Sequence, residues 1–145
     1  MKKAISATVT PLNEDMSLDK TGMRNIFERN IRHGLDGVFL FGSMGEWGSF
    51  SDAFKEEAVE YAAEIIQHRM ELLVGINATS EYRSLEIMKQ YRKYDFEAYV
   101  FMPPGKTSAL NPVKSVLKVL DTADRPVYLY HCPPNNGINF TLDEF

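Results

Sequence analysis

The chain has 145 residues, 44% of them hydrophobic and 25% charged, and a net charge of −4. That length supports one domain with a real core, and the balance excludes disordered and collagen-like classes. The scattered basic residues argue against a nucleic-acid or anionic-membrane partner, because both need a concentrated basic face.

The N-terminus, Met1-Lys2-Lys3-Ala4-Ile5, carries the charge of a signal peptide, but its apolar stretch soon meets Thr8, Thr10 and Pro11, so no export signal is expected. Apolar runs such as Ala98 to Met102 are too short to cross a bilayer. A single cysteine, Cys132, forms no internal disulfide, which suits the cytoplasm.

In chain order, the first predicted strand is Ala4–Val9. Met23, Ile26, Phe27 and Ile31 then make a helical stripe that Gly34 closes. A second strand, Gly37–Phe41, runs into Gly42-Ser43-Met44-Gly45-Glu46. Ser51 caps a helix whose stripe is Phe54, Ala58, Tyr61, Ala62 and Ile65. After the strand Leu72–Ile76, Ser80 caps a weaker stripe of Leu85 and Met88, flanked by Tyr82 and Tyr91. After the strand Ala98–Met102, Asn111 caps a helix with Pro112 at its first position and Val113, Val116, Leu117 and Leu120 as its stripe. The fifth strand is Val127–Tyr130, and a fifth helix is predicted to begin around Thr141. The strands start roughly 25 to 35 residues apart, the length of a βα unit, so the sheet is predicted to be α/β and parallel. An open doubly wound sheet and part of a (β/α)8 barrel both fit the pattern. The dinucleotide fingerprint is absent, since Val9-Thr10-Pro11-Leu12-Asn13 contains no glycine.

Ligands of parallel sheets bind at the carboxyl ends of strands, where the loop Gly42–Glu46 lies. Gly42 and Gly45 would let the backbone turn tightly and approach a ligand. The N–H groups of Ser43 and Met44, with the Ser43 hydroxyl, would then serve a carboxylate. On these residues alone, glycines that merely make the turn are the stronger explanation of the loop.

Four further stretches accompany this loop: Ala7-Thr8-Val9-Thr10-Pro11, Gly34-Leu35-Asp36-Gly37, Val74-Gly75-Ile76-Asn77-Ala78-Thr79, and Tyr130-His131-Cys132-Pro133 followed by Gly137. With these motifs in order, the chain resembles the dihydrodipicolinate synthase / N-acetylneuraminate lyase family of pyruvate-dependent class I aldolases. The resemblance implies the first five strands of a (β/α)8 TIM barrel, incomplete at the C-terminus. Residues 1–145 would then be one domain lacking the sixth to eighth strands and the C-terminal helical region. It implies a cofactor-free lyase or aldolase that forms a Schiff base with pyruvate or another 2-oxo acid, usually as a tetramer. By resemblance, Ser43 and Met44 bind the substrate carboxylate, and Tyr130 is the acid/base with Ser43 as its partner. The imine lysine belongs to the sixth strand and is expected outside this chain, so the 145 residues alone are expected to be inactive. Five strands cannot close an eight-stranded barrel.

Three departures bear on the substrate. Met44 stands where the family commonly has threonine. Gly105 stands where a tyrosine completes an inter-subunit proton relay. Asn135 stands where the synthase branch has an arginine for its aldehyde's carboxylate. Asn135 therefore favours a lyase of another 2-oxo acid over 4-hydroxy-tetrahydrodipicolinate synthase. A non-catalytic module that kept the loop and lost the lysine is the reading from another class.

Lys106-Thr107 after Gly105 is not a phosphate loop, because Val100 occupies the place of the required glycine. Lys106 remains a possible substrate contact at the barrel mouth, as does Asn135. Tyr128 shares the face of Tyr130 and is expected to pack. His131 and Cys132 point to opposite faces and make no nucleophile pair. No residues have metal-ligand spacing. Glu56, Glu57 and Glu60 are expected to form a solvated helix face.

Overall fold

The structure, a computed structural model, describes residues 2–105, 111–141 and 143. Side-chain caps set the helix starts. Asp19 accepts the Gly22 N–H at 2.8 Å and opens α1 (Lys20–Arg32), and Gly34, at φ 70°, closes it with its N–H on the Ile31 carbonyl. Ser51 accepts the Phe54 N–H to open α2 (Asp52–Ile66), and Ser80 accepts that of Arg83 to open α3 (Glu81–Tyr91). Asn111 accepts the N–H groups of Val113 and Lys114 and opens α4 (Pro112–Thr122).

Between the helices run β1 (Ile5–Ala7), β2 (Gly37–Leu40), β3 (Glu71–Gly75), β4 (Ala98–Phe101) and β5 (Val127–Leu129). They form one sheet in chain order, and every neighbouring pair is parallel. The expected α/β architecture with five parallel strands is therefore what the chain forms. β1 and β5 are shorter than their apolar runs, although the Thr8 and Tyr130 N–H groups just beyond them still reach the Phe39 and Phe101 carbonyls.

Alternation along the strands divides the core. Val38, Leu40, Leu72, Val74, Tyr99 and Phe101 face the helices, where they meet Met23 and Phe27 of α1, Ala58 and Ala62 of α2, and Met88 of α3. Leu73, Ala98 and Val100 face the other way and gather Ile5, Phe39 and Tyr130. The two outermost strands line one cavity on this second face, Ile5 and Ala7 from β1 and Tyr128 and Leu129 from β5. The sheet is thus coiled until its edges face one another, which is the curvature of a barrel wall.

Two helical stripes differ from expectation. On α3 the buried row is Ser84, Ile87, Met88 and Tyr91, while Tyr82 is exposed. On α4 only Ser115 and Val119 are buried. Its Val113, Val116, Leu117 and Leu120 instead line an open groove of about 240 Å³ with Val127, Leu129 and Phe140. The stripe is apolar as read, but nothing among the described residues covers it. Glu56 and Glu57 are not merely solvated. Glu57 pairs with Lys20 of α1, and Glu56 pairs with Lys93 and accepts the Tyr94 hydroxyl, so the row ties α2 to both neighbours.

After β5 a helical turn, α5 (Pro133–Asn136), closes on Gly137 at φ 70°, a feature the periodicity did not reveal. The helix expected from Thr141 falls largely outside the described residues.

Candidate active site

The Gly42–Glu46 loop leaves β2 through Phe41, which is buried and holds φ at 58°. Glu46 holds φ at 51° at the far end of the loop. The sharp turns therefore sit at Phe41 and Glu46 rather than at the glycines. The glycines provide room instead. A Cβ on Gly45 would lie 3.1 Å from both the Phe41 nitrogen and the Thr8 carbonyl. Thr10 donates its hydroxyl to the Gly45 carbonyl at 2.8 Å and pins the loop to the chain leaving β1.

The strained Phe41 is held by Asn77, at the end of β3. The Asn77 amide donates to the Phe41 carbonyl at 3.1 Å, and its oxygen accepts the Met102 N–H at 2.8 Å. This side chain, 3% exposed, joins the carboxyl ends of β2, β3 and β4. Gly75 makes the approach possible, because a Cβ there would meet the Phe41 carbonyl at 2.5 Å. Asn77 belongs to a motif noticed in the sequence, but its role needs three strand ends side by side, which only the fold provides.

With the loop so fixed, the Ser43 and Met44 N–H groups have no acceptor among the described residues. The Met44 side chain is 61% exposed. Ser43, Met44 and Tyr130 line one cavity of about 250 Å³ with Phe39, Leu73 and Val100. Three of the expected site residues are therefore together. Tyr130 packs edge-on to Phe39 with ring centroids 5.9 Å apart, and its N–H continues the ladder to the Phe101 carbonyl at 2.8 Å. Tyr128 shares the face but is exposed rather than packed.

Asn135, from α5, donates its amide to the Ser43 hydroxyl at 2.8 Å. Asn136 donates to the Pro103 carbonyl at 3.0 Å and anchors the same turn to the end of β4. The Ser43 hydroxyl thus meets Asn135, and among the described residues it forms no bond to Tyr130. Ser43 also borders a second, open cavity of about 530 Å³, shared with Glu46, Trp47, Ser49, Met102 and Asn135. No lysine lines either cavity among the described residues, and Lys106 lies outside them. The described residues hold no cluster of metal-ligating side chains, and no helix among them is long and apolar enough to cross a membrane. Ser43, Met44 and Tyr130 thus border one cavity whose remaining lining is largely apolar.

The Dihydrodipicolinate synthetase family model matches residues 1–145. An uncharacterised DapA-like lyase of Rhizobium meliloti is 30% identical over 138 residues, which are 94% of this chain and 46% of that protein. An N-acetylneuraminate lyase of Escherichia fergusonii is 26% identical over 147 residues, 99% of this chain and 50% of that one. A prophage protein of Escherichia coli from the dihydrodipicolinic acid synthase family, solved in complex with pyruvate, superposes with a TM-score of 0.87 at 23% identity, covering 94% of this chain and 47% of that chain. The strands and helices described above are accordingly those of a TIM-barrel fold, and the chain spans about half the length of the curated relatives it matches. A match along every one of its residues assigns it: the chain belongs to the dihydrodipicolinate synthetase family.

Proposed function

We propose that these residues carry the carboxylate-binding loop and the proton-transferring tyrosine of a cofactor-free, Schiff-base carbon–carbon lyase acting on pyruvate or another 2-oxo acid. The observation that carries the reading is the cavity shared by Tyr130 with Ser43 and Met44, whose amides are unpaired among the described residues. A 2-oxo acid seated there would place its carboxylate on the two N–H groups and its ketone over the apolar floor. A lysine from outside these 145 residues would condense with the ketone. The protonated imine then draws electrons from the neighbouring carbon–carbon or carbon–hydrogen bond. Tyr130 would exchange the proton that the step requires. The pyruvate in a structure of like fold agrees with this class of ligand.

In this reading residues 1–145 are a single domain, the N-terminal portion of a barrel whose sixth to eighth strands and C-terminal helical region lie outside it. The whole enzyme would be a cytoplasmic homotetramer, as the resemblance implies, and the 145 residues alone would be inactive. The synthase alternative is disfavoured by Asn135, which puts an amide, not a cation, beside Ser43. Titrating the isotopically labelled chain with pyruvate tests the loop directly. The Ser43 and Met44 amide resonances should move together and saturate, and amides that stay still would remove the carboxylate site.

A further inference from the structure

At the amino ends of β3 and β4, away from the Gly42–Glu46 loop, three side chains meet across two connections. His68 stands between α2 and β3, and Asp95 and Glu97 stand between α3 and β4. The His68 Nδ1 lies 2.8 Å from a Glu97 oxygen, and its Nε2 lies 2.8 Å from an Asp95 oxygen. A neutral imidazole has a single N–H and can donate to only one of two ionised carboxylates, so the two bonds together need the imidazolium. The partners are not equivalent. The second Glu97 oxygen accepts the Leu72 N–H at 2.7 Å, and the Glu97 N–H donates to the Leu72 carbonyl at 3.1 Å, so Glu97 is tied to β3 by side chain and backbone. The Asp95 side chain is 77% exposed.

The backbone beneath the bridge is bent against its preference. Gln67 and His68 hold φ at 45° and 58°, two successive left-handed residues that turn the chain from α2 towards β3. The surrounding charges face other partners. Arg69 reaches Glu28 of α1 and the Ile65 carbonyl, Lys93 reaches Glu56 of α2, and Glu71 of β3 pairs with Lys3. Glu97 first and Asp95 second therefore act on the ring, and they hold its pKa above the ordinary value of 6.5.

We propose that His68 is a proton-operated latch: as the imidazolium it bridges Asp95 and Glu97 and holds the left-handed reversal between α2 and β3, and on losing one proton it releases Asp95 and keeps Glu97. The deprotonated nitrogen would set its lone pair against a carboxylate, and the exposed Asp95 turns to water more easily than Glu97, which Leu72 holds. The direction with pH follows from the raised folded-state value. The stability that the latch contributes is complete below the unfolded-state pKa and is lost as pH rises through the folded one. The latch lies outside the proposed catalytic site and does not depend on the lyase reading.

NMR of the histidine rings against pH tests it. The chain has three histidines, and the ring resonances that vanish in His68→Gln are those of His68. In the folded chain they should titrate at higher pH than in the urea-unfolded chain. Asp95→Asn and Glu97→Gln should each lower that midpoint, Glu97→Gln by more. Above the midpoint the ring nitrogen shifts should show the Nδ1–H tautomer, which keeps Glu97; an Nε2–H tautomer would keep Asp95 and overturn the proposed release. The gap in unfolding midpoint between the parent and His68→Gln should close as pH rises from about 6 to about 9. A ring that titrates alike folded and unfolded, carboxylate variants that leave its midpoint in place, or a gap that pH does not change would each overturn the proposal. The ring titration and the tautomer are read on the parent, so a variant that fails to fold leaves the test standing.

Discussion

Asn77 is the residue on which the candidate site most depends, although it lines neither the cavity beside Tyr130 nor the open one. It satisfies a buried carbonyl on Phe41 and a buried N–H on Met102, and it holds Phe41 in a conformation that is uncommon for a bulky side chain. Leucine at this position would leave both backbone groups unpaired, and each orphaned buried group costs about 1–3 kcal/mol. Asn77→Leu should therefore lower unfolding stability by about 3 kcal/mol in denaturant titrations. A loss below about 0.5 kcal/mol in the leucine variant would show that the loop holds itself. The same residue shows what a sequence conceals. Tyr130, Ser43, Met44 and Asn135 could be singled out because each lies in a stretch that carries the family resemblance, while the Asn135–Ser43 bond could not be foreseen. Asn77 acts through distance in the fold between strands 25 and 36 residues away in the chain, and no local spacing encodes that.

Among the elements, α2 and α3 are joined by a polar cluster beside the loop. Lys55, 7% exposed, lies 3.1 Å from Asp52, which also pairs with Arg83 of α3, and Arg83 pairs with Glu86 at 3.1 Å. Partial burial works to raise the Asp52 pKa, but hydrogen bonds from Lys55 and Arg83 outweigh it and hold the carboxyl below its ordinary value. A lowered folded-state pKa contributes stability that is present above the unfolded-state value near 3.8 and is lost as pH falls through the lower folded value. Asp52→Asn removes that dependence and leaves Lys55 with an amide for a partner. It should cost roughly 1–3 kcal/mol at neutral pH and flatten the acid limb of a stability–pH profile. Identical profiles for parent and variant would show that Asp52 is not linked to folding. The helices themselves were legible through Ser51, Ser80, Asn111 and Gly34, whose capping chemistry is local. On α3, Met88 and Tyr91 are buried and Leu85 packs partly against the core as read, while Ile87 was not legible and Tyr82 turns to solvent.

At the scale of the whole molecule, the sheet has two open edges and α4 presents an uncovered apolar stripe, with Leu117 53% and Leu120 47% exposed. Apolar rows of this kind drive association when water is the alternative. The 145-residue chain should therefore self-associate in light scattering, and Leu117→Lys with Leu120→Lys should shift it towards monomer without loss of helix content. A parent that is monomeric at high concentration would contradict this. The parallel order was legible because strand spacing and handedness leave few topologies. The choice between open sheet and barrel wall rested on the resemblance, since periodicity carries no information about coiling. The coil brings Tyr130, just past the fifth strand, to the cavity that Ser43 and Met44 of the second strand's loop also line.

In the proposed lyase, the Gly42–Glu46 loop and Tyr130 serve the 2-oxo acid, and the imine lysine comes from outside these 145 residues. Intact mass after pyruvate and borohydride tests it most directly, because borohydride fixes an imine as a stable adduct. The account predicts that the 16.5 kDa chain gains no pyruvyl mass, while a chain of its relatives' length, containing these residues and the rest of the barrel, gains one. A single, saturable pyruvyl adduct on the 145-residue chain itself would contradict the account and place the reactive lysine within it.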